Sequence, residues 1–341
     1  MLKKFSIIMC LMFLLVGCVG TGNSSSNSIT TYALDTVITI NLYDEGSEAI
    51  FTRMTNRIHE IEALMSKHIE GSEVDLINQN AGIKPIVVSQ DTYQVIERAL
   101  LYAKLSKGSF DPTVGPIVDL WGIGTEEAKV PSADEITEKL MYVDYEAIIL
   151  NEFDRSVYLS KTDMAIDLGA IAKGYVADEL ALVLKSEGIN KAIINLGGNV
   201  YAYGEKDSGD DWKIAIQTPY DQRNVNFGYV EIKNKTVVTS GPYERYFEKD
   251  GKTYHHIFDA NTGYPVEGET ISVTIVTQSS MDADALSTLL FTMNQQEGLD
   301  LIESMDGVEC LYIDRDYEIR MSSGFEEIFT LTDNTYKVVH N

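Results

Sequence analysis

The sequence predicts an α+β fold with a largely antiparallel sheet and packed helices. β-rich runs follow one another as hairpin-like pairs, for example residues 148–150 and then 156–159. Amphipathic helical patterns lie between such pairs, as at residues 47–65, where apolar residues recur three and four positions apart. Strands and helices do not alternate in the strict order that builds a parallel sheet. A mostly antiparallel sheet covered by helices satisfies all three observations.

The individual elements follow from local pattern and from helix start and stop signals. Glycines and prolines predict a long loop at residues 108–124. Helices are predicted at residues 47–65, 91–105 (after Ser89), 171–186 (ending at Gly188), 281–293 and 299–305. Strands are predicted at residues 32–43, 148–150, 156–159, 192–194, 200–203, 213–216, 228–232, 236–239, 272–276, 308–313 and 317–321. Cys310, in one of these strands, is expected to be a buried, small apolar side chain.

Charge narrows the range of functions. The chain of 341 residues carries 52 acidic and 27 basic side chains, a formal net charge of −25. Such a protein would approach a nucleic acid against its own electrostatic field, so we expect no nucleic-acid partner. Its 44% hydrophobic content is enough for one large core or two smaller ones. An anionic substrate would need a local basic patch or a metal ion.

The N-terminal residues predict a sorting signal. Lys3 and Lys4 precede an apolar run at residues 5–16, which is too short to span a bilayer but has the length of a signal-peptide core. The run leads into Leu-Val-Gly-Cys at residues 15–18, which resembles the bacterial lipobox, where the cysteine thiol is lipidated. The alternative is an ordinary secretory signal in which Cys18 occurs by chance.

The lipobox interpretation defines the organisation of the chain. Residues 1–17 would be a lipoprotein signal peptide, residues 18–30 a flexible tether rich in Gly, Ser and Asn, and residues 31–341 one domain. Cys18 would then attach the domain to the extracytoplasmic face of the cell membrane.

Two glycine-rich segments could present backbone N–H groups to a ligand. Residues 108–122 combine Gly, Pro and aromatic residues. They could form a loop that binds a ligand beside aromatic side chains, or a rigid turn with a purely structural role. Residues 167–175 lie at a predicted helix start. There Asp167 could cap the helix, and Lys173 adds positive charge where a phosphate would bind. The spacing is not that of a Walker loop.

Paired glycines and adjacent histidines mark two further segments. Gly197 and Gly198 follow a β-run and indicate either a tight turn or a backbone that contacts a ligand. His255 and His256 are neighbours in a β-like run, so their side chains face opposite ways and at most one enters a given site. A lone histidine is more often structural, yet one beside Asp, Arg and a Gly turn is a candidate general base.

Asp284 and Thr288 form the last candidate pair. They are four residues apart on a predicted helix and therefore share one face. Their carboxylate and hydroxyl oxygens are hard ligands, which suit Mg²⁺. The alternative is structural: a cap at the helix start, and a Thr hydroxyl that bonds to the carbonyl four residues earlier.

Together these segments resemble the ApbE family, the FAD:protein FMN transferases, over residues 32–320. The motifs that carry the resemblance are SEVDLIN at 72–78, SFDPTVGPIVDLWG at 109–122, DLGAIAKGYVAD at 167–178, NLGGNV at 195–200, TSGPYERYF and YHHIFDANTGYP within 239–265, and DADALST at 282–288. The resemblance implies an ApbE-like, T-fold-like α+β domain. It also implies an Mg²⁺-dependent enzyme that splits FAD, releases AMP and joins FMN through a phosphodiester bond to a Thr or Ser of a partner protein.

The resemblance also assigns residues to the site. His256 is the expected catalytic base and contacts FAD together with Ile257. The implied Mg²⁺ ligands are the carbonyl of Ala170 and the side chains of Asp284 and Thr288. The other implied FAD contacts are Leu34, His68, Ser109, Phe110, Asp111, Asp167 and Lys173. Two of these depart from the family pattern: Leu34-Asp35-Thr36 stands where many members have Met-Gly-Thr, and His68 where many have a stacking Tyr.

The sequence leaves two alternatives to FMN transfer open. A member of the same family could act as an Mg²⁺-dependent FAD pyrophosphatase, which hydrolyses FAD to FMN and AMP. A non-catalytic, solute-binding lipoprotein would instead show two similar lobes joined by a hinge. The chain has no internal acceptor segment of the family's kind, so the expected acceptor is a separate extracytoplasmic electron-transfer protein.

We expect Cys18→Ala to leave the protein uncleaved or soluble, because no thiol would remain to carry the lipid. Membrane partition and the mass of the mature chain measure this outcome. Cys10→Ala is the matched control, since Cys10 would be removed with the signal peptide. Unchanged partition and mass in the Cys18 variant would rule out the lipobox.

Overall fold

The computed structural model describes residues 27–219 and 225–340. The predicted signal peptide and Cys18 lie outside the described residues. The α-helices in these ranges are α1 (Glu48–Met65), α2 (Glu73–Gln79), α3 (Gln90–Leu105), α4 (Gly115–Trp121), α5 (Ala133–Leu140), α6 (Ala172–Ser186), α7 (Ser280–Phe291), α8 (Gln295–Glu303) and α9 (Ser323–Ile328). The strands are β1 (Ser28–Ala33), β2 (Thr36–Leu42), β3 (Ile86–Val87), β4 (Ile148–Asn151), β5 (Ser156–Leu159), β6 (Ala192–Leu196), β7 (Asn199–Tyr203), β8 (Trp212–Gln217), β9 (Asn226–Ile232), β10 (Lys235–Ser240), β11 (Tyr246–Lys249), β12 (Lys252–His255), β13 (Phe258–Asp259), β14 (Tyr264–Pro265), β15 (Thr270–Thr277), β16 (Glu309–Asp314), β17 (Glu318–Met321), β18 (Phe329–Leu331) and β19 (Lys337–Val338).

One large sheet organises the domain. Its strands lie in the order β1-β2-β6-β7-β10-β15-β16-β17-β19. Every neighbouring pair is antiparallel except β17 and β19, which run parallel. Smaller sheets, β18-β9-β8 and β3-β5-β4, and the hairpin pairs β11-β12 and β13-β14 accompany it. The predicted α+β fold with a largely antiparallel sheet is confirmed.

Both faces of the large sheet are buried. In β16, Cys310 and Tyr312 belong to a core shared with α1, α3, α6 and α7, whereas Leu311 and Ile313 belong to a second core with β8 and β9. All of these side chains are fully buried, which agrees with the alternation of side chains along a strand. Burial raises the pKa of the Cys310 thiol, so the prediction of a small apolar core residue is confirmed.

Most predicted elements are present, and two predictions were wrong. Residues 32–43 form the hairpin β1-β2 instead of one strand, because Leu34 and Asp35 adopt φ values of 52° and 55°, as in a two-residue type I′ turn. The predicted loop at 108–124 contains α4. Pro116 lies in the first turn of α4, and Gly122 ends the helix in the left-handed conformation, the arrangement in which these two residue types favour a helix.

The length and hydropathy of the helices decide whether any of them could cross a membrane. Within residues 27–219 and 225–340, none is both long enough and apolar enough to cross a bilayer.

Helices α6 and α7 approach each other closely at Gly174. A Cβ atom added to Gly174 would lie 2.1 Å from the carbonyl oxygen of Ser280 and 2.7 Å from the Cα of Met281. Since both atoms belong to the backbone, a side chain at position 174 could be accommodated only if the helices moved apart. The close contact brings the N–H of Gly174 to the carboxylate of Asp284, at 3.0 Å.

We therefore expect Gly174→Ala to lower the free energy of unfolding by ~2 kcal/mol, the usual size of an overpacking penalty. Urea denaturation measures this loss. Gly268→Ala is the matched control, because no atom lies within 4 Å of its added Cβ, and its change should stay below about 0.5 kcal/mol. Equal stability of the two variants would show that the α6–α7 contact can accommodate a methyl group at position 174.

Candidate active site

Asp284 joins three of the sequence motifs. It lies on α7 and is only 4% exposed. Its Oδ1 accepts hydrogen bonds from Lys173 Nζ at 3.2 Å and Asn199 Nδ2 at 2.9 Å, and its Oδ2 accepts from the Gly174 N–H at 3.0 Å. A buried carboxylate needs such partners, because an unpaired charge in the interior is strongly unfavourable. The 167–178, 195–200 and 282–288 segments therefore meet at one carboxylate.

The other two implied Mg²⁺ ligands are the Ala170 carbonyl and the Thr288 hydroxyl. Within residues 27–219 and 225–340, no backbone N–H donates to the Ala170 carbonyl. Thr288 lies one turn after Asp284 and is half-buried. The hydroxyl of Ser287, not that of Thr288, donates to the Asp284 carbonyl, at 2.9 Å.

This donor set fits Mg²⁺. It offers a carboxylate, a carbonyl and a hydroxyl, all hard oxygen ligands. Among the residues described, no three His, Cys, Asp or Glu side chains converge as a metal site. A site with a single carboxylate is nevertheless usual for Mg²⁺, which commonly completes its shell with water and substrate phosphate oxygens.

Asp282 is directed elsewhere. Its Oδ1 lies 3.4 Å from Arg98 Nε on α3. Its charge adds to the effect of burial in raising the pKa of Tyr102. Asp282 is therefore a natural control for Asp284, in the same helix but with different partners.

Asp167 is paired with a buried lysine. Lys67 Nζ lies 3.0 Å from Asp167 Oδ2 and 2.7 Å from Asp119 Oδ1, and the Lys67 side chain is 8% exposed. Burial by itself would raise the pKa of Asp167, but Lys67, the Gly169 N–H and His68 outweigh it and hold the pKa below its usual value. Asp167 is thus ionised at neutral pH, and the exposed side chain of His68 lies close enough to contribute to its field.

Asn78 and Pro112 set the position of Asp167. The Asn78 side chain accepts from the Ile166 N–H at 2.7 Å and donates to the Ile166 carbonyl at 3.1 Å. The N–H of Asp167 donates to the Pro112 carbonyl at 2.8 Å. These bonds connect the 72–78 and 109–122 segments to the residues that lead into α6.

His256 follows the end of β12 and is half-buried. Its backbone N–H donates to the Arg245 carbonyl at 3.1 Å, and its Nδ1 lies 3.2 Å from the same oxygen. A carbonyl can only accept, so Nδ1 carries the proton and Nε2 is left as the basic nitrogen. Burial lowers the pKa of His256 to about 3, with the positive charges of Arg245 and Lys173 contributing. The imidazole is therefore neutral at physiological pH.

His255 has a structural role. Its side chain is 7% exposed, with Nε2 2.9 Å from the Val266 carbonyl and Nδ1 accepting from the Ile257 N–H at 3.3 Å. Both ring nitrogens are therefore used within the protein. The side chain of Ile257 is also buried, so contact of this residue with a ligand would involve its backbone.

The 109–111 segment is held tightly by neighbouring groups. Phe110 is buried in the main core, and Ser109 Oγ lies 2.8 Å from Thr292 Oγ1. The Asp111 carboxylate accepts from the Thr113 N–H and hydroxyl, both at 2.7 Å, and from the Tyr145 N–H at 2.9 Å. Burial raises the pKa of Asp111. Flavin contact by Ser109, Phe110 and Asp111 stays a prediction, whereas their role in shaping the loop is visible.

The Leu34–Asp35 turn lies against the His256 segment. Arg245 Nη2 donates to the Asp35 carbonyl at 3.3 Å, and the Leu34 N–H donates to Glu62 at 2.6 Å. A leucine in the left-handed region is strained, and such strain is concentrated at functional sites. Gly197 and Gly198 form the tight β6–β7 turn, and a Cβ at Gly197 would lie 2.0 Å from Thr36 Oγ1. The turn interpretation of the paired glycines is thus confirmed.

Sequence reasoning missed several residues of this site. Asn199, Arg245 and Asn78 lie inside the motifs that carry the family resemblance, but those motifs alone indicate no role for them. Lys67 had no signal, because its partners, Asp119 and Asp167, are distant in sequence.

Comparison with known proteins supports a single relationship. The ApbE family model matches residues 34–312. An FAD:protein FMN transferase of Klebsiella pneumoniae is 35% identical over 318 residues, which cover 92% of this chain and 98% of the relative. One from Treponema pallidum is 32% identical over 352 residues, covering 97% and 96%.

Solved structures agree with the sequence comparison. The ApbE protein of Thermotoga maritima has a TM-score of 0.81 and 32% identity, covering 88% of this chain and 98% of that one. The flavin transferase ApbE of Vibrio cholerae has a TM-score of 0.79 and 29% identity, with the same coverage. The sequence motifs, the fold and these relatives lead to one conclusion: the chain belongs to the ApbE family.

Proposed function

We propose that this protein is an FAD:protein FMN transferase that modifies a Thr or Ser of a separate extracytoplasmic protein. The observation that carries the proposal is the buried Asp284 carboxylate held by Lys173 and Asn199, with the neutral His256 close enough to feel the charge of Lys173. This arrangement supplies a candidate cation site and a candidate base within one site. The names of the relatives support the substrate, FAD, and the class of acceptor, a protein.

The reaction breaks one phosphoanhydride bond. The acceptor hydroxyl oxygen bonds to the phosphorus of the FMN half of FAD, the bond from that phosphorus to the bridging oxygen breaks, and AMP leaves with that oxygen. The hydroxyl proton passes to Nε2 of His256, since Nδ1 is held on the Arg245 carbonyl. Bound at Ala170, Asp284 and Thr288, Mg²⁺ would neutralise charge on the diphosphate and on the departing oxygen.

Local positive charge allows an acidic protein to bind a dianionic diphosphate. Lys173 and Arg245 both act on His256, and Lys67 lies beside Asp167. Because Lys173 and Lys67 are each paired with carboxylates, Arg245 and a bound Mg²⁺ would supply most of the positive charge that the net charge of −25 requires. Attachment through Cys18 would hold this site at the outer face of the cell membrane, where an extracytoplasmic acceptor can reach it.

Incubation with FAD and Mg²⁺, with and without purified acceptor, tests the proposal. FMN transfer predicts AMP release that depends on the acceptor, together with fluorescent FMN on the acceptor band after denaturing electrophoresis. Acceptor-independent release of AMP and free FMN would indicate a pyrophosphatase, and tight FAD binding without turnover would indicate a binding protein.

Replacement of His256 should separate catalysis from binding. We expect His256→Ala to slow FMN transfer by roughly a hundred-fold or more, the usual effect of a lost general base. FAD affinity should change little, because the imidazole is neutral and contributes no charge to hold the diphosphate. Single-turnover transfer read by in-gel fluorescence, together with FAD titration, measures both. His255→Ala is the control and should slow transfer much less. Native transfer rates in both variants would leave His256 with a structural role only.

Replacement of Asp284 should abolish Mg²⁺-dependent turnover. The Asp284→Ala variant should keep its fold by circular dichroism but lose more than about a hundred-fold in rate, since the charged ligand is gone. Asp282→Ala should lose far less, because Asp282 pairs with Arg98. The measurement is AMP release across a Mg²⁺ titration. Greater damage from Asp282→Ala would mean that the wrong carboxylate has been assigned.

A further inference from the structure

Two carboxylates link helices α6 and α7, and each lies on one helix and binds the N-terminus of the other. Asp178 of α6 accepts hydrogen bonds from the N–H groups of Ser280 and Met281, at 2.8 and 2.9 Å, in the first turn of α7. Asp284 of α7 accepts from the N–H of Gly174, at 3.0 Å, in the first turn of α6. Each helix N-terminus thus receives a negative charge from the other helix, which its orphan N–H groups and dipole favour.

The implied Mg²⁺ ligands come from both sides of this contact. Ala170 belongs to the turn that leads into α6, whereas Asp284 and Thr288 lie on α7. The distance between the carbonyl and the two side chains therefore depends on how α7 is seated against α6. Mg²⁺ tolerates little error, since it requires near-octahedral geometry at about 2.1 Å.

Asp178 and Asp284 differ in whether their hydrogen bonds would have to change when a cation binds. Asp284 would have to share its oxygens between the cation and its present partners, Lys173, Asn199 and Gly174. Asp178 would not have to share its oxygens with the cation. Its partners are two backbone N–H groups and, at 3.4 Å, the hydroxyl of Ser279, none of which belongs to the implied ligand set.

We propose that Asp178 is a positioning residue of the Mg²⁺ site. It holds the start of α7 on α6, so that the Asp284 and Thr288 side chains keep the distance from the Ala170 carbonyl that Mg²⁺ requires. The inference rests on the proposed function, because it assumes that these three residues bind the metal. It assigns to Asp178 no contact with metal, FAD or acceptor.

The pKa of Asp178 lies above the usual value for an aspartate. Burial raises its pKa to about 6, and Asp282 adds to the effect, although the N–H groups of Met281 and Ser280 and the Ser279 hydroxyl act in the opposite direction. A folded-state pKa above the unfolded value means that ionised Asp178 lowers stability as the pH rises through this range.

The test measures metal binding directly, with Mn²⁺ as the probe. Mn²⁺ titration followed by electron paramagnetic resonance at pH 7.5, and its displacement by Mg²⁺, give both affinities without turnover. We expect Asp178→Asn to weaken Mg²⁺ binding by roughly ten-fold or more, as loss of a residue that orients metal ligands usually does. Ca²⁺, which accepts longer and less regular bonds, should lose less affinity in the same displacement assay. The melting temperature should change little, because the substitution also removes a buried charge.

Glu179→Gln is the matched control. Glu179 is the next residue on α6, but its carboxylate pairs with Arg57 at 2.7 Å and has no contact with α7 among the described hydrogen bonds. Its metal affinities should equal those of the unmodified protein. Asp178→Glu keeps the charge and the acceptor oxygens, so it should recover part of the lost Mg²⁺ affinity. This variant also allows the inference to be tested if Asp178→Asn folds poorly.

The outcomes separate this inference from the proposed function. Native Mg²⁺ affinity in Asp178→Asn would overturn the positioning role and leave FMN transfer untouched. If Mg²⁺ and Ca²⁺ affinity fall equally and the melting temperature falls as well, Asp178 stabilises the fold in general and does not position the metal ligands. Failure of the unmodified protein to bind Mn²⁺ in this titration would overturn both this inference and the metal site on which it rests.

Discussion

The buried carboxylate of Asp284 is the interaction on which the candidate site depends. It cannot be left unpaired in the interior, so Lys173, Asn199 and the Gly174 N–H must converge on it. Their convergence requires α6 and α7 to approach until only a glycine fits at position 174. It also requires β7 to begin beside α7. A single charge thereby places three segments that are far apart in sequence.

Three cations near the candidate site are held in fixed positions. Lys173 serves both Asp284 and the field at His256, and Arg245 supplies the carbonyl that fixes the tautomer of the same histidine. Lys67 keeps Asp167 ionised. Each of these cations is held by a carboxylate or a backbone carbonyl, so its position is preorganised before FAD binds.

Much of the fold could be predicted from sequence because it follows from local pattern. The spacing of apolar residues located α1, α3, α6 and α7, and the i, i+4 relation placed Asp284 and Thr288 on one helix face. The Leu34–Asp35 turn could not be predicted, since leucine carries no signal for a positive φ. Helix α4 was missed although Pro116 and Gly122 gave a usable signal. The pairing of Lys67 with Asp167 and of Asn78 with Ile166 arises only from tertiary structure, which no local pattern reports.

The proposed function requires above all that a cation binds between α6 and α7 at Asp284. Anomalous diffraction from crystals grown with Mn²⁺ and FAD tests it most directly, because it locates the metal without reference to activity. We expect one strong anomalous peak in contact with the Asp284 carboxylate, the Ala170 carbonyl and the Thr288 hydroxyl. A peak coordinated by Asp282 or Asp119 instead, or full FAD occupancy with no metal at Asp284, would contradict it.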